Sequence, residues 1–163
     1  MILFGFKSCG KTFWGKRLAE RLSWNFIDTD LLLEERENLP VREIYIRFGE
    51  SYFRSLEKEI ILSLKKAENR VIAVGGGAIF DEAIVAHLQS LGKLIYLRQD
   101  KAILKKRLLL SPPAYFNLND NEASFERLYA QRKPLYESIA AYAVDLSIQS
   151  DDQVLNLLSE YAL

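Results

Sequence analysis

Gly5-Phe6-Lys7-Ser8-Cys9-Gly10-Lys11-Thr12 reads Gly-x-x-x-x-Gly-Lys-Thr without a mismatch, the pattern of a phosphate-binding loop. Met1 to Phe4 ahead of it are apolar and suit a short buried strand. Trp14, Leu18 and Leu22 after it recur at helical spacing. Strand, glycine loop and helix form the context the motif needs. The two glycines let backbone N–H groups close around a phosphate, and the helix N-terminus adds partial positive charge behind them. Lys11 then reaches the outer phosphates, and the Thr12 hydroxyl is placed to ligate Mg²⁺. The competing explanation is an ordinary turn. Four fixed positions coincide by chance in roughly one chain in a few hundred at average glycine usage, and the strand–helix context lowers that further.

Outward from the loop, strands and helices alternate. Asn25 to Asp28 reads as a second strand, closing on Asp28-Thr29-Asp30. Helical segments are expected over Leu31 to Glu37, Val41 to Phe48 and, beyond Gly49, Glu50 to Lys66. In the last of these, Phe53, Leu56, Ile60 and Leu64 form one stripe. Val71 to Val74 is a continuous apolar run of the kind buried on both faces of a parallel sheet, and it empties into Gly75-Gly76-Gly77. A helix over Asp81 to Leu91, a strand over Lys93 to Leu97 and a helix over Lys101 to Leu110 follow. Pro112-Pro113 and the loss of periodicity mark a loop from Ser111 to about Glu122. Ser124 to Tyr142 is expected to be helical with a break near Pro134. Ala143 to Ser147 is the last strand, and Ser150-Asp151-Asp152-Gln153 resembles a capping box opening a final helix.

This order predicts an α/β fold, a parallel sheet covered on both faces with right-handed crossovers. Ligands in such sheets bind beyond the carboxyl ends of the strands. The phosphate loop, Asp28/Asp30 and the triple glycine each follow a strand, so they converge on one edge.

The bulk numbers fit a single domain over 1–163. Its 22 basic and 22 acidic residues cancel, so no field favours nucleic acid or an anionic membrane. No apolar run approaches a membrane span, and no leader is expected ahead of the loop. The single cysteine, Cys9, forms no internal disulfide and fits a reducing compartment, so the cytoplasm is expected. Cys9, among inward amides and beside Lys11, is expected to favour thiolate and react with alkylating agents.

Asp28 and Asp30 stand two apart at a strand end, so one carboxylate can face the Mg²⁺–phosphate site and the other a second substrate. Asp30 also fits as the N-cap of the next helix, and both roles can hold. Arg54 and Glu57 are three apart on one helix. With Arg132 they suggest a site for a hydroxylated carboxylic acid, since arginine takes a carboxylate bidentately and acidic groups accept from hydroxyls. Ordering three successive glycines is entropically costly, which argues for close approach of backbone to ligand at Gly75 to Gly77. His87, the only histidine, reads as structural or surface, and no zinc pattern is present.

Taken together, Gly5 to Thr12, Phe26-Ile27-Asp28-Thr29-Asp30, Phe48-Gly49-Glu50 with Phe53-Arg54 and Glu57, the triple glycine, and Arg132-Lys133-Pro134-Leu135-Tyr136 resemble shikimate kinase along essentially the whole chain. The resemblance implies a three-layer α/β/α P-loop NTPase fold with a five-stranded parallel sheet. It implies a helical substrate-binding part over about 29–66 and a mobile lid over about 111–123. It implies transfer of the γ-phosphoryl group of ATP to the 3-hydroxyl of shikimate, with Mg²⁺, in aromatic amino-acid biosynthesis, by a monomer. Carried over by position, Gly5, Lys7, Ser8, Cys9, Gly10 and Lys11 hold the ATP phosphates, and Thr12 and Asp28 serve the metal. Asp30 binds the attacking hydroxyl and is the catalytic base beside Lys11. Arg54 and Arg132 clamp the carboxylate, Glu57 organises that site, Gly75, Gly76 and Gly77 approach the substrate, and Arg107 meets the adenine. The family usually has a lid arginine ahead of Pro-Leu-Leu; here Ser111 to Ser124 contains no Lys or Arg. A gluconate or nucleotide kinase of the same fold, and a nucleotide-binding protein without turnover, are the other readings.

Overall fold

Five parallel strands form the centre of the computed structural model, in the order β2-β3-β1-β4-β5. They are β1 (Ile2–Phe4), β2 (Asn25–Asp28), β3 (Arg70–Ala73), β4 (Leu94–Arg98) and β5 (Tyr142–Asp145). The structure describes residues 1–116 and 120–162. The order follows from burial. β1, β3 and β4 are the most apolar strands and take the middle, with Ile2 to Phe4, Val71 and Leu94 to Leu97 buried. The polar-ended β2 and β5 take the edges. Register pairs Ile2 with both Ile72 and Leu94.

Helices cover both faces, giving the α/β/α layering expected of a P-loop NTPase fold. Helix α1 (Lys11–Leu22) packs on β1, β2 and β3 and against α7 (Asp151–Ala162). Helix α6 (Asn121–Ile139) lies against β4 and α5 (Lys101–Leu110). Helices α2 (Thr29–Glu37) and α3 (Val41–Ser63) occupy the stretch expected to bind substrate. They enclose a second, smaller core of Leu33, Ile44, Phe53, Leu56 and Ile60, distinct from the core along the sheet. Helix α4 (Glu82–Leu91) follows a single 3₁₀ turn at Ala78–Phe80. No helix among the described residues is long and apolar enough to cross a membrane.

Several boundaries differ from the sequence reading, each for a local reason. The two expected helices around Gly49 are both present, as the two parts of α3 separated at Gly49, whose non-helical φ of 81° and ψ of 172° lie where only glycine is at ease. That helix ends at Ser63, short of Lys66, and His87 Nε2 lies 2.9 Å from the carbonyl oxygen of its cap, Leu64. Helix α6 runs through Pro134 without a break. Tyr136, two residues on, is fully buried and donates to the Gly76 carbonyl at 2.7 Å, which holds the helix past the proline. Helix α6 also begins at Asn121, so the expected lid ends in helix, and its residues 117–119 lie outside the described residues. The capping box is present: Ser150 N–H donates to Gln153 Oε1 at 2.9 Å, and Gln153 N–H to Ser150 Oγ at 3.4 Å.

Candidate active site

At the carboxyl edge of the sheet, β1 delivers the phosphate loop, β2 delivers Asp28 and β3 delivers the triple glycine. Gly10 has φ of 110° and Ser8 a φ of 65°, which turn the loop's backbone on itself ahead of α1. Lys11 Nζ rests over the loop, donating to the carbonyls of Gly5 at 3.1 Å and Phe6 at 2.9 Å. The Thr12 hydroxyl donates to Asp28 Oδ2 at 2.6 Å. Asp28 Oδ1 accepts from the Asp30 amide at 3.0 Å, so Asp28 is the N-cap of α2, the role the sequence offered to Asp30. Helix α2 therefore starts at Thr29 and frees the Asp30 carboxylate to face the cavity.

That cavity, of about 380 Å³, is lined by Lys7, Ser8, Gly10, Lys11 and Thr12 on one side and by Asp28 and Asp30 beneath. Its far wall carries Arg54, Glu57, Arg132 and all three glycines. The phosphate loop and the proposed acid clamp thus share one space. Part of Asp30 is open to it. Burial of the remainder pushes the Asp30 carboxyl above the ordinary carboxylate range, partly offset by the Lys11 ammonium. A raised carboxyl with a cation beside it has the balance a general base needs.

On the far wall, Arg54 Nη1 donates to Glu57 Oε2 at 2.6 Å, and Glu57 is 2% exposed. Burial pushes the Glu57 carboxyl up and Arg54 pulls it back; for Arg54, burial is outweighed by the Glu57 charge. We treat the pair as ionised, because a short charge-assisted bond with one partner half-open to solvent favours both charges. Arg54 also has Glu50 at 3.8 Å.

Arg132 is different. It is 5% exposed, and among the described residues no carboxylate lies within ion-pair distance of it. Its neighbours are the Tyr136 hydroxyl and the rings of Phe80 and Tyr115. A buried guanidinium without a counter-charge is costly unless an anion completes it.

The triple glycine makes room for this wall. A Cβ at Gly75 would meet Glu57 Oε1 at 2.6 Å, one at Gly76 would meet Arg132 Nη1 at 3.1 Å, and one at Gly77 would meet the Arg54 guanidinium at 2.5 Å. What approaches that backbone is the side chains of Glu57, Arg132 and Arg54.

The shikimate kinase family model matches residues 7–162. A shikimate kinase of Caldanaerobacter subterraneus subsp. tengcongensis is 34% identical over 155 residues, covering 94% of this chain and 90% of its own. The chain belongs to the shikimate kinase family. Solved structures agree. The shikimate kinase of Bacteroides thetaiotaomicron superposes with a TM-score of 0.81 at 28% identity, covering 98% of this chain and 95% of its own. That of Acinetobacter baumannii, solved in complex with shikimate, gives 0.79 at 27%, covering 98% and 87%.

Within this shikimate kinase framework two expectations change. Cys9 is 1% exposed and turns its side chain into the apolar core, and its amide donates to the Phe6 carbonyl at 3.2 Å. A thiol so enclosed is not presented to alkylating agents, because reactivity needs exposure. Arg107, on α5, reaches back to the phosphate loop, where Nη1 donates to the Ser8 carbonyl at 2.9 Å. It is therefore at the nucleotide end of the site. Sequence reasoning gave Phe80 no role and did not set Tyr115 against Arg132, yet both rings stand over it. Neither lies in a recognisable motif, so only the fold brings them there.

Proposed function

We propose that the chain transfers the γ-phosphoryl group of ATP to the 3-hydroxyl of shikimate, giving shikimate 3-phosphate and ADP for aromatic amino-acid biosynthesis. The observation that carries this reading is Arg132, a buried cation with no carboxylate within ion-pair distance among the described residues, lining the same cavity as the phosphate loop. A hydroxylated acid completes its charge and presents a hydroxyl toward Asp30.

In this reading Lys11 and the amides at the start of α1 neutralise charge spreading over the transferring group. Asp30 accepts the proton of the attacking hydroxyl. Arg54 and Arg132 hold the carboxylate, and Glu57 fixes Arg54, so the acceptor is oriented before transfer. Lys7, Ser8, Gly5, Cys9 and Gly10 contribute loop backbone around the phosphates, and Arg107 bounds the nucleotide. The Thr12 hydroxyl and the Asp28 carboxylate are 2.6 Å apart, an all-oxygen donor set suited to Mg²⁺. Among the described residues no cluster of three or more acidic, His or Cys groups forms a metal cage. A cation held there would bind largely through the phosphates and would supply positive charge to their oxygens. We further read residues 1–163 as one catalytic domain acting as a cytoplasmic monomer.

The test is ADP release measured with shikimate against gluconate and nucleoside monophosphates. Release dependent on shikimate alone is expected. Release with gluconate or a nucleotide would move the chain to another kinase specificity, and binding of ATP and shikimate without release would mark a protein without turnover.

A further inference from the structure

The two arginines of the acid site are electrically unequal. Arg54 is already matched, by Glu57 at 2.6 Å and Glu50 at 3.8 Å. Among the described residues Arg132 has no carboxylate within ion-pair distance: its neighbours are the Tyr136 hydroxyl, which itself donates to Gly76, and two aromatic rings, and the Glu57 charge reaches it only at longer range. The Phe80 ring centroid lies 5.7 Å from the Arg132 guanidinium carbon and that of Tyr115 lies 5.5 Å away. Both distances fall within the range in which a ring's negative face attracts a cation. Aromatic faces compensate part of a buried charge without cancelling it, so they hold a guanidinium in place and leave it able to take an anion.

The two rings come from different elements. Phe80 closes the 3₁₀ turn that follows the triple glycine, on the same connection that makes room for Arg132. Tyr115 comes from the segment that replaces the family's arginine-bearing lid. That segment is tied down independently of Arg132. Arg42 Nη1 donates to the Pro112 carbonyl at 2.5 Å, Tyr45 packs edge-on against Tyr115 at 6.0 Å, and Phe116 is buried in the main core. Tyr115 also lines the 380 Å³ cavity and the adjoining cavity of about 610 Å³ that opens between α3 and α6. It stands where the two meet.

From this geometry we infer that Tyr115 is a positioning residue for acceptor recognition: its ring, with that of Phe80, orients the Arg132 guanidinium toward the acceptor's carboxylate. The segment after α5 thereby contributes to binding of the acid, through a ring, in a chain where Ser111 to Ser124 holds no cation. This deepens the proposed shikimate-binding role of the site and rests on it. It also separates the two arginines by task. Arg54, with Glu57, is the fixed wall, and Arg132 is the charge that reads the acid.

Titration calorimetry on the full chain tests this, with shikimate, its neutral carboxamide and MgATP as separate probes. Tyr115→Ala is expected to weaken shikimate about tenfold, the order of one desolvated cation–π contact, with MgATP affinity within about twofold of the parent. Tyr115→Phe keeps the ring and is expected to restore shikimate binding to within about twofold. The carboxamide, which draws little on the guanidinium charge, is expected to lose much less than shikimate in Tyr115→Ala. Three results would overturn the inference: equal losses for shikimate and carboxamide, equal losses in the Ala and Phe variants, or equal losses for shikimate and MgATP. A parent protein that binds MgATP but not shikimate would instead remove the functional reading underneath.

Discussion

Arg132 shows how much a single buried charge decides. Its guanidinium is 5% exposed and has no carboxylate within ion-pair distance among the described residues, so in the resting site a hydroxyl, two rings and the more distant Glu57 charge stabilise it. Arg132→Ala is expected to weaken shikimate about ten- to a hundredfold, as for one lost charge-assisted bond, while ATP binding stays near the parent value. Separate titrations with the two ligands check this, and equal losses would indicate damage to the fold. Arg107 is the complementary case at the other end of the cavity. Because it donates to the Ser8 carbonyl, it is placed to supply the phosphate-facing charge that the following segment lacks. Arg107→Ala is then expected to depress kcat more than it raises the KM for ATP. Steady-state kinetics with varied ATP decide the point: a rise in KM alone would make Arg107 an adenine contact.

At the scale of the element, α3 breaks at Gly49, whose backbone takes a turn that no other residue takes comfortably. No atom lies within 4 Å of where a Cβ at Gly49 would sit, so the position is set by conformation and not by space. Gly49→Ala is expected to destabilise the fold by about 1–3 kcal/mol, the cost of a glycine-only backbone region, measured by urea unfolding. Helix α4 depends on its cap. The Asp81 carboxylate takes Lys58 Nζ at 2.7 Å and the amides of Ala83 and Ile84. The Lys58 hydrogen bond, followed by the helix amides, holds its carboxyl below the ordinary range. A carboxyl depressed in the folded state adds stability that is fully present above its unfolded pKa of about 3.9 and is lost as pH falls through the lower folded value. Asp81→Ala is therefore expected to lower the melting temperature at pH 7, with the gap to the parent narrowing below about pH 4. A gap independent of pH would show that charge plays no part in the cap.

Over the whole molecule, the two cores divide the labour. The larger one fixes the sheet, and with it the phosphate loop, Asp28 and the triple glycine. The smaller one, under α2 and α3, carries Arg54 and Glu57. A small satellite core holds less apolar area and opens at lower free energy. Amides in Ile44 to Phe48 are expected to exchange with solvent hydrogen sooner than those of β1 and β4, and to slow when shikimate is added. Exchange at one common rate across both regions would show a single cooperative unit. Much of this was legible in the sequence wherever the determining contacts are local. The phosphate loop needs its glycines and lysine within eight residues, the buried strands need only runs of apolar residues, and the capping box at Ser150 closes over three positions. Asp28, Asp30, Arg54, Glu57 and Arg132 were legible as candidates because their residue types suit the chemistry. Tertiary structure alone decided how they meet. It joined Asp28 to Thr12, carried α6 through Pro134 by burying Tyr136, and turned Cys9 inward. It also set Phe80 and Tyr115 over Arg132. Each of these rests on contacts between residues far apart in the chain, whose energies depend on burial that no local pattern encodes.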